Sequence, residues 1–196
     1  MKELNSLTKP TTGVGTVILD LESNGLLNNA SRIHCAVLHW CDDDITESYN
    51  DEKYSDKAKE LPMGSRSITT AVTTIETADV VIGHNIIGFD LPLIKRLYPF
   101  FTYPPIIVDT LILSRLYHPN LLDIDKKHEW KNMPTKLYGS HSLEAYGYRL
   151  GEYKGDYGKT SDWSEWSQDM EDYCKQDVIV TKKLCEHFHP YLIGSN

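Results

Sequence analysis

The chain has no hydrophobic run that approaches the roughly 18–20 residues a helix needs to cross a bilayer. Its first residues, MKELNSLTKPTTG, lack the apolar centre of a secretory signal. Both absences lead us to expect a cytoplasmic protein with no membrane partner. Cysteine is scarce: four in 196 residues, with no CxxC pair. Cys35 and Cys41 fall on one expected strand, and Cys174 and Cys185 on one expected helix. Buried free thiols are expected rather than a disulfide framework or a zinc site. Positive charge is also short. Lys and Arg total 20 against 28 Asp and Glu, a formal net charge of −8. That balance argues against coating duplex nucleic acid or an anionic membrane by bulk charge. The sequence has no internal repeat and no low-complexity tract, and its length suits one domain.

What is present begins with a flexible arm expected over residues 1–13, followed by a single domain over 14–196. Val14 to Leu21, Ile33 to Cys41 and Thr46 to Asn50 read as strands, the last two joined by the acidic turn Asp42-Asp43-Asp44. Residues 51–66 read as loop. Ser67 caps an expected helix carrying Ile68, Ala71, Val72 and Ile75 at helical spacing. Val80 to Gly83 is a short buried strand, with a helix near Asp90 that tolerates Pro92 in its first turn. Ile106 to Val108 is another strand, after which Asp109 caps a helix stopped by Pro119. Residues 119–139 read as a polar loop whose lysines, Lys126, Lys127, Lys131 and Lys136, could guide a strand. Ser140 to Leu150 is a helix with Gly151 at its C-cap, and 155–161 a loop. Asp162 with Glu165 resembles a capping box, opening a long helix to about His189. Strands first, then alternating strands and helices, give an α/β mixed sheet with helices on both faces.

Carboxylates interrupt this apolar pattern in three places. In VILDLE, Asp20 and Glu22 point to one side of the first strand at its C-terminal end. Adjacent carboxylates repel unless a cation neutralises them. The spacing alone is weak, because Asp169 and Glu171 repeat it. In VVIGHNIIGFD, a buried strand leads through a small turn to Asp90. There His84 reads as a hydrogen-bonded turn residue rather than a ligand, for want of a second His or Cys at ligand spacing. On the long helix, Trp166, Met170, Tyr173, Asp177, Val180, Leu184 and Phe188 form one inward stripe. Asp177 sits at its middle with no basic residue on the stripe, so it needs another partner. Four inward acids, Asp20, Glu22, Asp90 and Asp177, suit two Mg²⁺ or Mn²⁺ ions, the arrangement that cleaves phosphodiesters. Such a site would grip a short nucleic-acid end through metal despite the negative charge. Tyr173 is placed to orient a water.

These segments resemble a known family. LDLE followed by NGL, then GHNIIGFD, and Tyr173 four residues before Asp177, resemble the motifs of DEDD-superfamily 3′→5′ exonucleases of the tyrosine subclass, which have a ribonuclease H-like fold. VDTLILSRLYHPNLLDID, GSHSLEAYGYRLGEYKGDY and MEDYCKQDVIVTKKL are similar to the proofreading domains of family A polymerases from short-tailed, T-odd bacteriophages. The resemblance implies that Asp20, Glu22 and Asp177 bind one metal. Asp20 and Asp90, the latter through water, hold a second. It gives Asn85 a supporting role and places Ser23, Asn24, Leu26 and Leu27 against the terminal nucleotide, with Leu26 or Leu27 as a wedge. It offers His141, Ser142 and Arg149 as backbone contacts. Asp109, although acidic and next to a strand, is read as a helix cap rather than a fifth ligand. The implied substrate is a single-stranded DNA 3′ end, in a host cytoplasm if the protein is phage-encoded. The implied partner is a DNA polymerase on a separate chain, unless this is an excised domain. An exoribonuclease, or an inactive nucleic-acid-binding subunit of a polymerase, are the alternatives.

Overall fold

The computed structural model describes residues 15–51, 67–128, 130–152 and 162–193. The arm expected over 1–13 and the loop expected over 155–161 lie outside these residues, as does nearly all of the loop expected over 51–66. Three strands open the chain: β1 (Thr16–Ser23), β2 (Ile33–Trp40) and β3 (Ile45–Tyr49). There follow α1 (Ile68–Thr77), β4 (Val80–Gly83), α2 (Asp90–Leu97), β5 (Ile106–Asp109) and α3 (Thr110–Tyr117). The chain continues through α4 (Leu121–His128), a 3₁₀ turn at Thr135–Leu137, α5 (Leu143–Leu150) and α6 (Gln168–Ile193).

One five-stranded sheet runs in the order β3-β2-β1-β4-β5. β1 pairs antiparallel with β2, and β2 with β3, whereas β4 lies parallel to both β1 and β5. The expected mixed sheet, antiparallel at its start and then parallel, is therefore what forms. Strand alternation sends Val17, Leu19 and Leu21 into a core shared with α1 and α2. It sends Ile18 to the other face, where Cys35 and Val37 meet Met170, Cys174 and Val178 of α6. Asp20 and Glu22 share the parity of Ile18, so they point to the α6 side. All four cysteines are buried free thiols. Among the described residues, no helix is long and apolar enough to cross a membrane.

Two expectations need correction. The segment 119–139 is not a plain loop, because it contains α4 and the 3₁₀ turn. The inward side of α4 offers only Leu121 and Asp125, so an apolar count passes over it. Asp125 is wholly buried, and its carboxylate accepts from Trp130 Nε1, Gly139 N and the Arg149 guanidinium. Gly139 is left-handed (φ 76°), and a Cβ there would come within 2.9 Å of Leu122 Cβ, so α4 packs closely on the chain that follows it. The second correction concerns α6, which starts at Gln168 rather than near Asp162. Asp162 accepts instead from Ser164 N in a local turn, and Ser167 Oγ accepts from Met170 N at the helix start.

Candidate active site

A cavity of about 720 Å³ opens where the C-terminal ends of β1 and β4 meet α6. Asp20 and Glu22 enter it from β1, and Tyr173 and Asp177, one helical turn apart, from α6. Asp20, Glu22 and Asp177 each offer a ligand atom, and these atoms lie within 4.8 Å of one another. Asp90 joins them as the first residue of α2, buried to 5% exposure. Burial pushes its carboxyl up to about 7, and the charges of Asp109 and Asp177 push the same way. A carboxyl so placed is readily stabilised by a cation. The expected cluster of four acids and a tyrosine is therefore brought together.

Behind the acids the support is specific. The Cys174 thiol donates to Asp20 Oδ2 at 3.3 Å and approaches the Asp20 carbonyl at 3.4 Å. The Trp163 ring stands edge-on to Tyr173, at 6.2 Å and 79°. The turn before α2 is held by Asp109, which caps α3 as expected through Leu111 N and Ile112 N. It also accepts from Asn85 N and Ile87 N. Asn85 takes a left-handed backbone (φ 62°), and Gly88 leaves room for its side chain: a Cβ at 88 would lie 2.5 Å from Asn85 Oδ1. His84 lines the cavity, its Nδ1 bonded to Thr110 Oγ1 at 2.9 Å.

The implied nucleotide contacts divide. Asn85, His141 and Ser142 line the cavity. Ser23 is buried and donates to Gly25 O, and Asn24 binds the Ser31 and Arg32 backbone, so both shape the turn after β1. Leu27 packs on the core while Leu26 is 77% exposed. Arg149 is a correction: its guanidinium forms a bidentate pair with buried Asp125 and donates to Ser140 O, so it does not line the cavity. The loop lysines do not line it either. The second acid pair resolves without metal, since buried Glu171 is bonded by Asn50 at 2.6 Å and Lys175 at 3.2 Å. Residue patterning missed Cys174, Trp163 and Arg115. Trp163 and Arg115 line the cavity, and although Arg115 and Cys174 fall within the segments that resemble the phage polymerases, no residue pattern marks any of the three.

A superfamily profile, RNase_H_2 of the RNase_H superfamily, matches residues 17–189. The DNA-directed DNA polymerase of Escherichia phage T7 is 32% identical over 192 residues, covering 87% of this chain and 26% of the polymerase. That of Enterobacteria phage T3 is 31% identical with the same coverage. The chain thus spans about a quarter of the length of the curated relatives it matches. Among solved structures, Brucella melitensis NrnC with bound Mg²⁺ superposes with a TM-score of 0.55 at 20% identity, covering 92% of this chain and 74% of that one. This last likeness is one of fold. With the profile matched across nearly the whole sheet and helix framework, the chain belongs to the RNase_H superfamily and is a DEDD-type member resembling the exonuclease domain of the phage polymerases.

Proposed function

We propose that the chain is a metal-dependent 3′→5′ exonuclease that releases nucleotides from single-stranded or frayed DNA ends, in proofreading or DNA degradation. The convergence of Asp20, Glu22 and Asp177, with ligand atoms within 4.8 Å, carries this reading. An all-carboxylate donor set fits Mg²⁺ or Mn²⁺ and not Zn²⁺. Asp20, Glu22 and Asp177 would hold one ion, and Asp20 with Asp90 a second. Bound there, two such ions supply an activated water and charge stabilisation for the departing 3′ oxygen.

The chain's own groups do the remainder. Tyr173 orients the attacking water, since a phenol is too weak a base to take its proton at neutral pH. Trp163 limits the swing of that ring. Asn85 and the Asp109-held turn fix the approach of Asp90. Leu26 stacks beside the terminal base, a contact that tolerates any sequence. A DNA polymerase is the expected partner, because the matched relatives are polymerases.

Degradation of 3′-labelled DNA and RNA oligonucleotides, with and without EDTA and beside Asp20→Ala, tests the reading. Loss of activity with EDTA and in the variant is expected. An unchanged rate in Asp20→Ala overturns the mechanism, and faster decay of RNA moves the substrate to RNA. Ends left intact in both Mg²⁺ and Mn²⁺ would make this a binding subunit instead.

A further inference from the structure

The α3 and α5 side of the cavity carries a hydrogen-bonded chain that the acids do not touch. Ser114 of α3 and Tyr146 of α5 are buried to 0% and 2% exposure. Tyr146 Oη lies 2.6 Å from Ser114 Oγ, which lies 2.6 Å from Nδ1 of His141. His141 lines the cavity. With Nδ1 turned inward to Ser114, Nε2 is the nitrogen left on the cavity side.

Counting donors fixes the direction of the protons. A buried hydroxyl that cannot donate leaves a costly unsatisfied proton. Ser114 is the hydrogen-bond partner of Tyr146 Oη, so the phenol donates to Ser114 Oγ. Around it lie Leu143, Val180 and Phe188, which accept nothing, the Arg149 guanidinium over its ring, which only donates, and Asp125, whose carboxylate is already bonded by Trp130, Gly139 and Arg149 and not by the phenol. Ser114 then passes its own proton to His141 Nδ1. An imidazole that accepts at Nδ1 carries its proton on Nε2. The reverse direction would strand the Tyr146 proton. Donation to Ser114 from both Tyr146 and His141 would strand the Ser114 proton, because among the described residues Ser114 Oγ bonds only these two groups. A cationic ring is disfavoured as well, because burial, Arg115 and Arg149 lower the His141 pKa against the opposing pull of Asp125.

We propose that the Tyr146–Ser114–His141 chain locks His141 as a neutral Nε2–H donor to a phosphodiester oxygen of the bound strand. This makes His141 a substrate-positioning residue, an inference that rests on reading the cavity as a nucleic-acid site. A neutral ring gives the strand a directed donor without a charge that would be drawn to the four acids. Arg115, at the same wall, supplies the cationic part of the grip.

Two measurements on the full chain test it. Imidazole ¹⁵N spectra of the free protein are expected to show His141 as the Nε2–H tautomer, and Tyr146→Phe to populate Nδ1–H. Binding of a fluorescent oligo-dT, read by anisotropy, needs no turnover. His141→Ala and Tyr146→Phe are expected to weaken it about tenfold and several-fold respectively, with His141→Gln restoring most of the loss. Mn²⁺ affinity should be unchanged in all three, which a general loss of structure would not allow. An Nδ1–H tautomer in the wild type, or unaltered binding in both His141→Ala and Tyr146→Phe, overturns the inference. A protein that binds the oligonucleotide through His141 but never cuts it would overturn only the nuclease reading. One that does not bind it would overturn both.

Discussion

The thiol of Cys174 lies 3.3 Å from Asp20 Oδ2, reaching from the buried face of α6 to the acid at the centre of the cluster. This bond fixes the orientation of the Asp20 carboxylate from behind the cluster. Partners of metal ligands commonly carry about ten- to a hundredfold in affinity, and a thiol is a weak donor, so the low end applies. Cys174→Val should raise the Mn²⁺ dissociation constant about tenfold, and Cys174→Ser should recover most of it. Calorimetric titration of the folded variants checks this.

Asp90 should make the metal-free protein lose stability as pH rises. Its folded value, about 7, lies above the ordinary carboxylate value near 4, so the folded state holds the extra proton between them. The stability this group contributes is complete below about pH 4 and is lost as pH climbs through about 7, a span worth roughly 4 kcal/mol. Melting in EDTA from pH 5 to 8 should show the fall. Asp90→Asn should flatten it, and added Mg²⁺ should stabilise the wild type most at the alkaline end.

Arg149→Met should destabilise the protein by about 3–5 kcal/mol, because it strands a wholly buried carboxylate on Asp125. Urea unfolding of Arg149→Met and of the double variant with Asp125→Asn checks it. The double variant should recover part of the loss, since a neutral amide at that position no longer needs the cation.

Tyr173→Phe should lower kcat roughly a hundredfold while leaving Mn²⁺ affinity and melting temperature near those of the parent, as suits a water-orienting hydroxyl. Single-turnover degradation of a labelled strand measures the chemical step directly.

Leu26 and Leu27 should separate cleanly. Leu26→Ala, at an exposed site, should change stability by less than about 0.5 kcal/mol yet weaken the hold on the terminal nucleotide. Leu27→Ala, packed on the core, should reduce stability and leave strand affinity comparatively intact. Denaturant midpoints beside oligonucleotide titrations decide it.

The acids were legible in the sequence because each breaks an apolar rhythm that the fold itself imposes. Asp20 and Glu22 break a strand parity, and Asp177 breaks a helical stripe. Asp90 closes a strand–turn signal. The mixed sheet was legible for the same reason, since strand-length runs and turns recur in order. Other features lie beyond such rhythms. α4 shows the core one leucine and one aspartate, and the acid is stable there because Trp130, Gly139 and the more distant Arg149 come to meet it. Trp163 and Arg115 reach the cavity from segments whose local pattern serves other ends. Leu26 and Leu27 are chemically alike, and only the bend after β1 decides which faces solvent.

Helix α6 holds Met170, Cys174 and Val178 against the sheet and presents Tyr173 and Asp177 to the cavity from the same few turns. A residue inserted or deleted between Met170 and Asp177 would rotate everything beyond it by about 100°. Asp177 would leave the cavity and Phe188 would leave its core in one event. Chain length in this stretch is therefore expected to be invariant among functional relatives, with insertions and deletions confined to the connections between elements.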